Sequence, residues 1–533
     1  MMAVVPIARA RGALLSARGR HLLSVTGVVA AVLVAWQVLA STVFAGRFVV
    51  PAPTSVWSSM VRDHFYTADA GSTLSIAWKG WLLGNGAALF AAAVCLLFPA
   101  VEGGLVTLGV ATYCVPTIAV GPLFVVLYGV DGAKIVMSAL SVFFVTLVAA
   151  VTGLRAASPT TLEAVTAFGG GRWAQLVKVR LRASIPMLAS GLSISAPAAI
   201  LGTMIGDYLG GQNGLGVIML QAQQQLSVSR TWAIAVVSIA ICGFAFAVTA
   251  ALAHRAGADV EAPLDFGMAH ERRRRGLAGA GIAALKIVAA VLVALAVWEL
   301  LIRTSGLDSY FVKSPGDVWR YLFSSEGAAE HRHVVLSGLG HTAKDAGFGW
   351  VAGTVAAVLA AFALVLLPAL GGALMPFVIV LRSVPLIAMC PLLGLVFGRG
   401  LLGVTVIAGL VTFVPSLVTI VAGLRTAPRA ATDVVHCSGS RSWHTLVKVQ
   451  LPFAAPALFA AAKISMPGAV LGSVLAEWLI TAHGLGYAMS YDIISSDYNN
   501  LFASIAALLV VSLGLYALVG AAETMVRDHV AGT

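Results

Sequence analysis

Charge is what this sequence has least of: Asp, Glu, Lys and Arg together make 10% of 533 residues, whereas 59% are hydrophobic. With a mean hydropathy of +0.95, too little polar surface exists to clothe a soluble core, and a water-soluble enzyme is excluded. Cysteine is also sparse. Cys95, Cys114, Cys242, Cys390 and Cys437 are scattered without metal-ligand spacing, so neither a disulfide framework nor a metal centre is expected. His436 and His444, eight apart in a loop, read as polar surface. No Gly-x-x-x-x-Gly-Lys-Ser/Thr segment occurs, and the chain has no phosphate loop of its own.

What is present is a series of apolar runs of about twenty residues, the length an α-helix needs to cross a bilayer, separated by Gly, Pro and charge. Barrel strands would alternate in polarity, and these runs do not. Each closes its own backbone hydrogen bonds as a helix. The expected spans lie near 23–45, 74–99, 104–128, 134–154, 186–206 and 230–252, then near 282–303, 345–368, 373–396, 401–422, 456–480 and 500–522. The fold class is therefore an all-α integral membrane protein of about twelve helices.

The chain is an internal duplication. "PAPTSVW" (51–57) answers "KSPGDVW" (313–319), Pro116 and Pro122 answer Pro385 and Pro391, and "DYLGGQNGLG" (207–216) answers "EWLITAHGLG" (477–486). The shift grows from 262 residues at Trp36/Trp298 to 270 at Gly153/Gly423, with most of the insertion after "VWRYLFSSEGAAEHRH". Three units follow: a first repeat over 1–253, a linker over 254–276 and a second repeat over 277–533. Because Trp36 falls on Trp298, the N-terminal apolar run reads as an uncleaved first helix and not as a signal peptide.

A net charge of +11 raises nucleic acid as a partner, and its placement removes it. Arg9, Arg11, Arg18 and Arg20 precede the first span, Arg272 to Arg275 lie in the linker, and the remaining clusters fill 155–182 and 425–448. With six spans per repeat all of these share one side, which the positive-inside pattern makes cytoplasmic along with both termini. Anionic lipid accounts for the charge. Parallel six-helix repeats of this kind place a transport path at their junction.

Both cytoplasmic loops between the fourth and fifth spans carry one design. Around "LEAVTAFGGGRWAQLVKVRLRASIP" (162–186) a Thr-x-x-Glu-like helix start, Thr160 to Glu163, precedes three glycines that permit a sharp turn, and an amphipathic stretch leads back to the membrane. "TDVVHCSGSRSWHTLVKVQLPFAAP" (432–456) repeats it. Such a knob suits a groove on a partner.

These loops resemble the EAA loop of ABC importer permeases: Glu163, Ala164 and Gly169, with Val179 and Leu181 at the family's distant positions, and again Asp433, Val434, Gly439, Val449, Leu451 and Pro452. Arg182 stands where the family has Pro, and Val165 and Val435 depart from its second Ala. Over nearly the whole length the chain is similar to the nitrate/sulfonate/taurine branch, through "LRSVPLIAMCPLLGLVFGRG" (381–400) and "LAEWLITAHGLGYAM" (475–489). The first repeat departs more, and two permease domains in one chain is itself a departure.

The resemblance implies two fused permease domains of the type I importer kind in a bacterial-type cytoplasmic membrane. It implies two ATP-binding cassette subunits as partners, ATP bound by them and no cofactor in this chain, and a solute-binding protein delivering a small polar or anionic solute. Arg382, inside an apolar span, is the sharpest pathway candidate, with Tyr113 at its counterpart; a snorkelling helix-end arginine is the plain alternative. Asp207 and Glu477 occupy matching places where the fifth spans end, either gating the path or capping the Gly-Leu-Gly turn. An ion-coupled secondary transporter of six-plus-six helices, and a receptor or scaffold that moves nothing, are the rival classes.

Overall fold

The computed structural model describes mainly residues 50–98, 117–255, 308–367 and 386–530, with short pieces between 30 and 42, 104 and 113, and 292 and 306. Among the described residues the elements are helical, and eight helices are long and apolar enough to cross a membrane. The remaining expected spans fall wholly or partly outside the described residues.

In the first repeat a short helix α1 (Leu33–Thr42) is followed by α2 (Pro53–Arg62), α3 (Thr67–Leu97), α4 (Thr117–Arg155) and α5 (Pro159–Ala167). Then come α6 (Trp173–Asp207), α7 (Leu215–Gln224) and α8 (Val228–Arg255). The second repeat gives α9 (Pro315–Phe323), α10 (Ala328–Leu366), α11 (Leu386–Phe397), α12 (Leu401–Leu424) and α13 (Arg429–Cys437). It ends with α14 (Ser442–Leu479), α15 (Gly484–Ser495) and α16 (Tyr498–Val530).

The duplication is visible atom by atom. Gly129 breaks α4 at φ +71°, and Gly398 at φ +87° separates α11 from α12 at the corresponding place; a residue with a Cβ resists that left-handed region. Trp36 sits 5.4 Å from Trp232, and its repeat Trp298 lies 6.2 Å from Phe502. Trp81 Nε1 donates to Ser195 Oγ at 2.9 Å, and Trp350 Nε1 donates to Ser465 Oγ at 3.1 Å. An interhelical bond of this type inside a membrane contributes about 0.6–2 kcal/mol.

Small residues let the spans approach. Gly80 and Gly84 of α3 lie against Ser138 and Ala139 of α4, and Gly349 and Gly353 of α10 lie against Ala408 and Thr412 of α12. Added methyl groups would overlap those neighbours, so the stripe sets the helix–helix distance. Pro122 and Pro391 lie within helices, while Pro116 and Pro385 lie outside the described residues.

The repeats also interlock. Val120 and Leu123 of α4 pack into clusters of the second repeat, and Met389 of α11 packs against the first. Cys390, Ile407 and Leu475 meet Ile118, Ile205 and Tyr208 in one cluster, so the centre between the repeats is apolar at this level.

Candidate functional site

At the end of each fifth span a carboxylate organises the turn that follows. Asp207 Oδ2 accepts the Gly216 N–H at 3.0 Å, Thr73 Oγ1 accepts that of Leu215 at 2.8 Å, and Asp69 Oδ1 accepts that of Gly214 at 3.2 Å. In the second repeat Glu477 Oε2 accepts the Gly486 N–H at 2.8 Å, and Thr342 Oγ1 accepts that of Leu485 at 2.9 Å. These are the otherwise orphaned donors at the starts of α7 and α15, where negative charge is also favoured by the helix dipole. Asp207 is 2% exposed and Glu477 0%: both side chains face protein and hold the turn.

The charge around them differs. Lys134 Nζ lies 2.7 Å from Asp207 Oδ1 and donates to the Asn213 carbonyl at 3.2 Å, with 2% of its side chain exposed. Glu477 is met instead by the Thr342 hydroxyl, which donates at 2.8 Å, and Val404 stands where the shift of 270 would repeat Lys134. Nearby, His483 Nε2 lies 3.5 Å from Asp345 Oδ2. Lys134 escaped the sequence reading. Its signal was a lone cation in an apolar span whose repeat partner is apolar.

Tyr113 lies at the junction of the repeats. Its ring stacks on Phe144 at 4.8 Å and 23°, in a cluster that takes Leu509, Leu513 and Tyr516 from α16. Arg382 lies outside the described residues. Asp207 and Glu477 each bond within their own repeat, and Tyr113 packs on Phe144; among the described residues no group of His, Cys, Asp or Glu could hold a metal ion.

The opposite end of the fifth spans carries the two loops. In each, a nine-residue helix, α5 or α13, reaches a glycine in the left-handed region, Gly169 at φ +77° and Gly439 at φ +74°. The chain then returns through a π-helical stretch, Leu176–Arg180 or Leu446–Gln450, into the span. The expected Thr-x-x-Glu cap does not form: α5 starts after Ser158 with Pro159 at its first turn and no side-chain cap. Gln175 instead ties the loop together, donating to the Leu162 carbonyl at 3.2 Å and to Thr166 Oγ1 at 2.8 Å.

Glu163, Ala164 and Asp433 are exposed, and so are apolar groups that water does not favour: Phe168 at 93%, Trp173 at 73%, Val434 at 69% and Trp443 at 51%. Each loop thus carries exposed apolar side chains beside exposed charge.

The sequence profile described as "binding-protein-dependent transport system inner membrane component" matches the chain twice, over residues 84–257 and 353–530. A probable ABC transporter permease protein of Haemophilus influenzae is 29% identical over 233 residues, 44% of this chain and 92% of its own length. The riboflavin transport system permease protein RibX of Chloroflexus aurantiacus is 32% identical over 153 residues, 29% of this chain and 57% of its own length. The putative aliphatic sulfonates transport permease protein SsuC of Bacillus subtilis is 25% identical over 209 residues, 38% of this chain and 75% of its own length. No solved structure matches significantly.

Proposed function

The chain belongs to the binding-protein-dependent transport inner membrane component family, as two permease domains in tandem, and from that premise we propose that its repeats enclose the path of a small polar or anionic solute. Two ATP-binding cassette subunits dock on the two loops, one on 156–180 and one on 426–450, and ATP is hydrolysed there and not in this chain. A solute-binding protein delivers the solute at the other face, beside the turns held by Asp207 and Glu477. The termini and the linker lie on the loop side, in the cytoplasm.

The observation that carries this reading is the doubled loop: two helix–glycine–helix knobs with equal geometry at Gly169 and Gly439, each presenting exposed tryptophan. A solvated turn has no use for Trp173 and Trp443 at its surface, whereas a groove that buries such rings gains about 1.5–3 kcal/mol for each fully covered side chain. The names of relatives bear on the solute: riboflavin, formylaminopyrimidine and aliphatic sulfonates are small and polar, and the third is an anion.

Cys437 supplies the test, being exposed in the second loop while Cys95, Cys242 and Cys390 are buried. In membranes holding the copurifying ATPase, Cys437 is protected from a water-soluble maleimide, and removal of the ATPase restores labelling. Equal labelling in both membranes sinks the docking. Solute uptake that persists in vesicles without an ATPase or ATP, and collapses with the proton gradient, transfers the chain's mechanism to secondary transport.

A further inference from the structure

The repeats meet along two related seams at the end of the molecule where Asp207 and Glu477 hold their turns, and the seams are not equally filled. In one, Val120 and Leu123 of α4 pack with Ile493 and Tyr498. In the other, the shift of 270 puts Gln223 for Ile493, Val228 for Tyr498 and Thr231 for Leu501. Exchanging a tyrosine ring for valine vacates space that neighbouring helices do not close. The result is a cavity of about 180 Å³ between α7, α8, α11 and the end of α14.

Its wall is mixed. Leu226, Leu479 and Ile480 are apolar, Gln223 and Thr231 are polar, and Arg399 stands at the rim. Gly398 at φ +87° turns the chain there, and Leu226 adopts φ +51°, a conformation a branched side chain accepts at a cost. Among the described residues Arg399 has no hydrogen-bond or ion-pair partner. The neighbouring cation, Arg230, is already paired with Asp63 at 3.3 Å. In the filled seam, where Gly129 answers Gly398 at a shift of 269, the counterpart of Arg399 is Val130.

We infer that this cavity is a binding subsite for a small organic anion, with the Arg399 guanidinium meeting its carboxylate or sulfonate head and Leu479 and Ile480 its apolar body. Guanidinium presents a planar fork that matches either head in a bidentate manner. The site serves one seam only, so the solute meets the repeats asymmetrically. This deepens the transport reading and rests on it for the identity of the ligand as cargo, while the presence of an anion site can be measured without transport.

The experiment uses the full chain in nanodiscs with Cys114 and Cys437 replaced by Ser and a single cysteine introduced as Val228→Cys. Labelling rates are compared for two methanethiosulfonates of similar size, one carrying a sulfonate and one a trimethylammonium, each normalised to its rate with a free thiol. The anionic reagent reacts about tenfold faster, as a local positive potential dictates. Arg399→Gln abolishes that preference, and millimolar ethanesulfonate slows labelling only while Arg399 is present. Leu226→Cys carries the same readout should Val228→Cys not fold. A ratio near one at both positions, or a preference that survives Arg399→Gln, overturns the site. So does labelling by membrane-dissolved N-phenylmaleimide alone, which would make the cavity a lipid-facing crevice. Charge-selective labelling in a chain that shows no ATP-driven uptake would remove the transport reading and leave the anion site standing.

Discussion

The two repeats perform one backbone task with different chemistry. Each must satisfy the amides that begin the helix after the fifth span, and each uses a threonine and a carboxylate on the same two elements. The first repeat neutralises its carboxylate with Lys134; the second leaves Glu477 with a hydroxyl. Duplication preserved the hydrogen bonds that the fold needs and let the electrostatics drift. The same division holds deeper in the spans, where Thr146 donates to Asn85 at 2.6 Å, while the counterparts Thr354 and Ser416 have hydroxyls without a partner among the described residues.

The largest effect of this contrast comes from Lys134. Lys134→Met leaves Asp207 as an uncompensated buried charge and lowers stability by about 3–5 kcal/mol. The double variant Lys134→Met/Asp207→Asn regains more than half, since an amide carbonyl still accepts from Gly216. Thermal unfolding of the detergent-solubilised chain measures both, and a single variant as stable as the parent would erase the distinction between the repeats.

Glu477 comes next. Glu477→Ala strips the acceptor from the Gly486 amide and the Thr342 hydroxyl and costs about 1–3 kcal/mol. Glu477→Gln keeps a carbonyl at the same distance and costs about 1 kcal/mol or less, because no cation is left behind. A loss for Glu477→Gln as large as that for Lys134→Met would show that the second repeat also depends on a charge.

A third difference lies just after the turns. Asp492 in α15 is 5% exposed and takes two hydrogen bonds from the Asn500 amide, at 3.0 and 2.9 Å. Burial pushes its carboxyl up to about 6, with Asp497 adding to the rise and the Asn500 bond opposing it. The first repeat has Ala222 and Arg230 at these positions. A carboxyl raised in the folded state binds protons there more readily than in the unfolded chain, so its contribution is complete only below the ordinary value of 3.8 and is lost as pH climbs through about 6. Stability falls over that window by about 1–2 kcal/mol once partial solvent screening is allowed for. Asp492→Asn flattens this part of the pH profile, and an unchanged slope would assign it to other groups.

The architecture was legible because it rests on features sequence states directly: run length, the doubled Pro and Gly positions and the placement of arginine. The loops were legible for the same reason, as Gly169 and Gly439 are the only residue type that takes their φ without strain. Lys134 was not, since nothing in the stretch 126–137 says that a lysine meets a carboxylate more than seventy residues later. The open seam was also hidden: Gln223, Val228 and Thr231 look like ordinary helix residues until Ile493 and Tyr498 show what fills the other side. Capping failed as a guide at Thr160, where Pro159 already fixes the helix start.

The smallest expected effect concerns the loops themselves, where the exposed Phe168 of the first has the exposed Ser438 as its counterpart in the second. Phe168 is 93% exposed, so Phe168→Ser leaves the stability of the isolated chain within about 0.5 kcal/mol. If each loop sits in an ATPase groove, the ring is partly covered in the complex, and its loss weakens docking there by about 1 kcal/mol, near fivefold in Kd. Ser438→Phe strengthens the second loop by a similar factor. Titrating the ATPase against the nanodisc-embedded chain resolves this as a biphasic curve whose weaker step moves with Ser438→Phe and whose tighter step moves with Phe168→Ser. A curve indifferent to both substitutions means that the glycine turn presents Trp173 and Trp443 to the partner and holds position 168 and its repeat away from it.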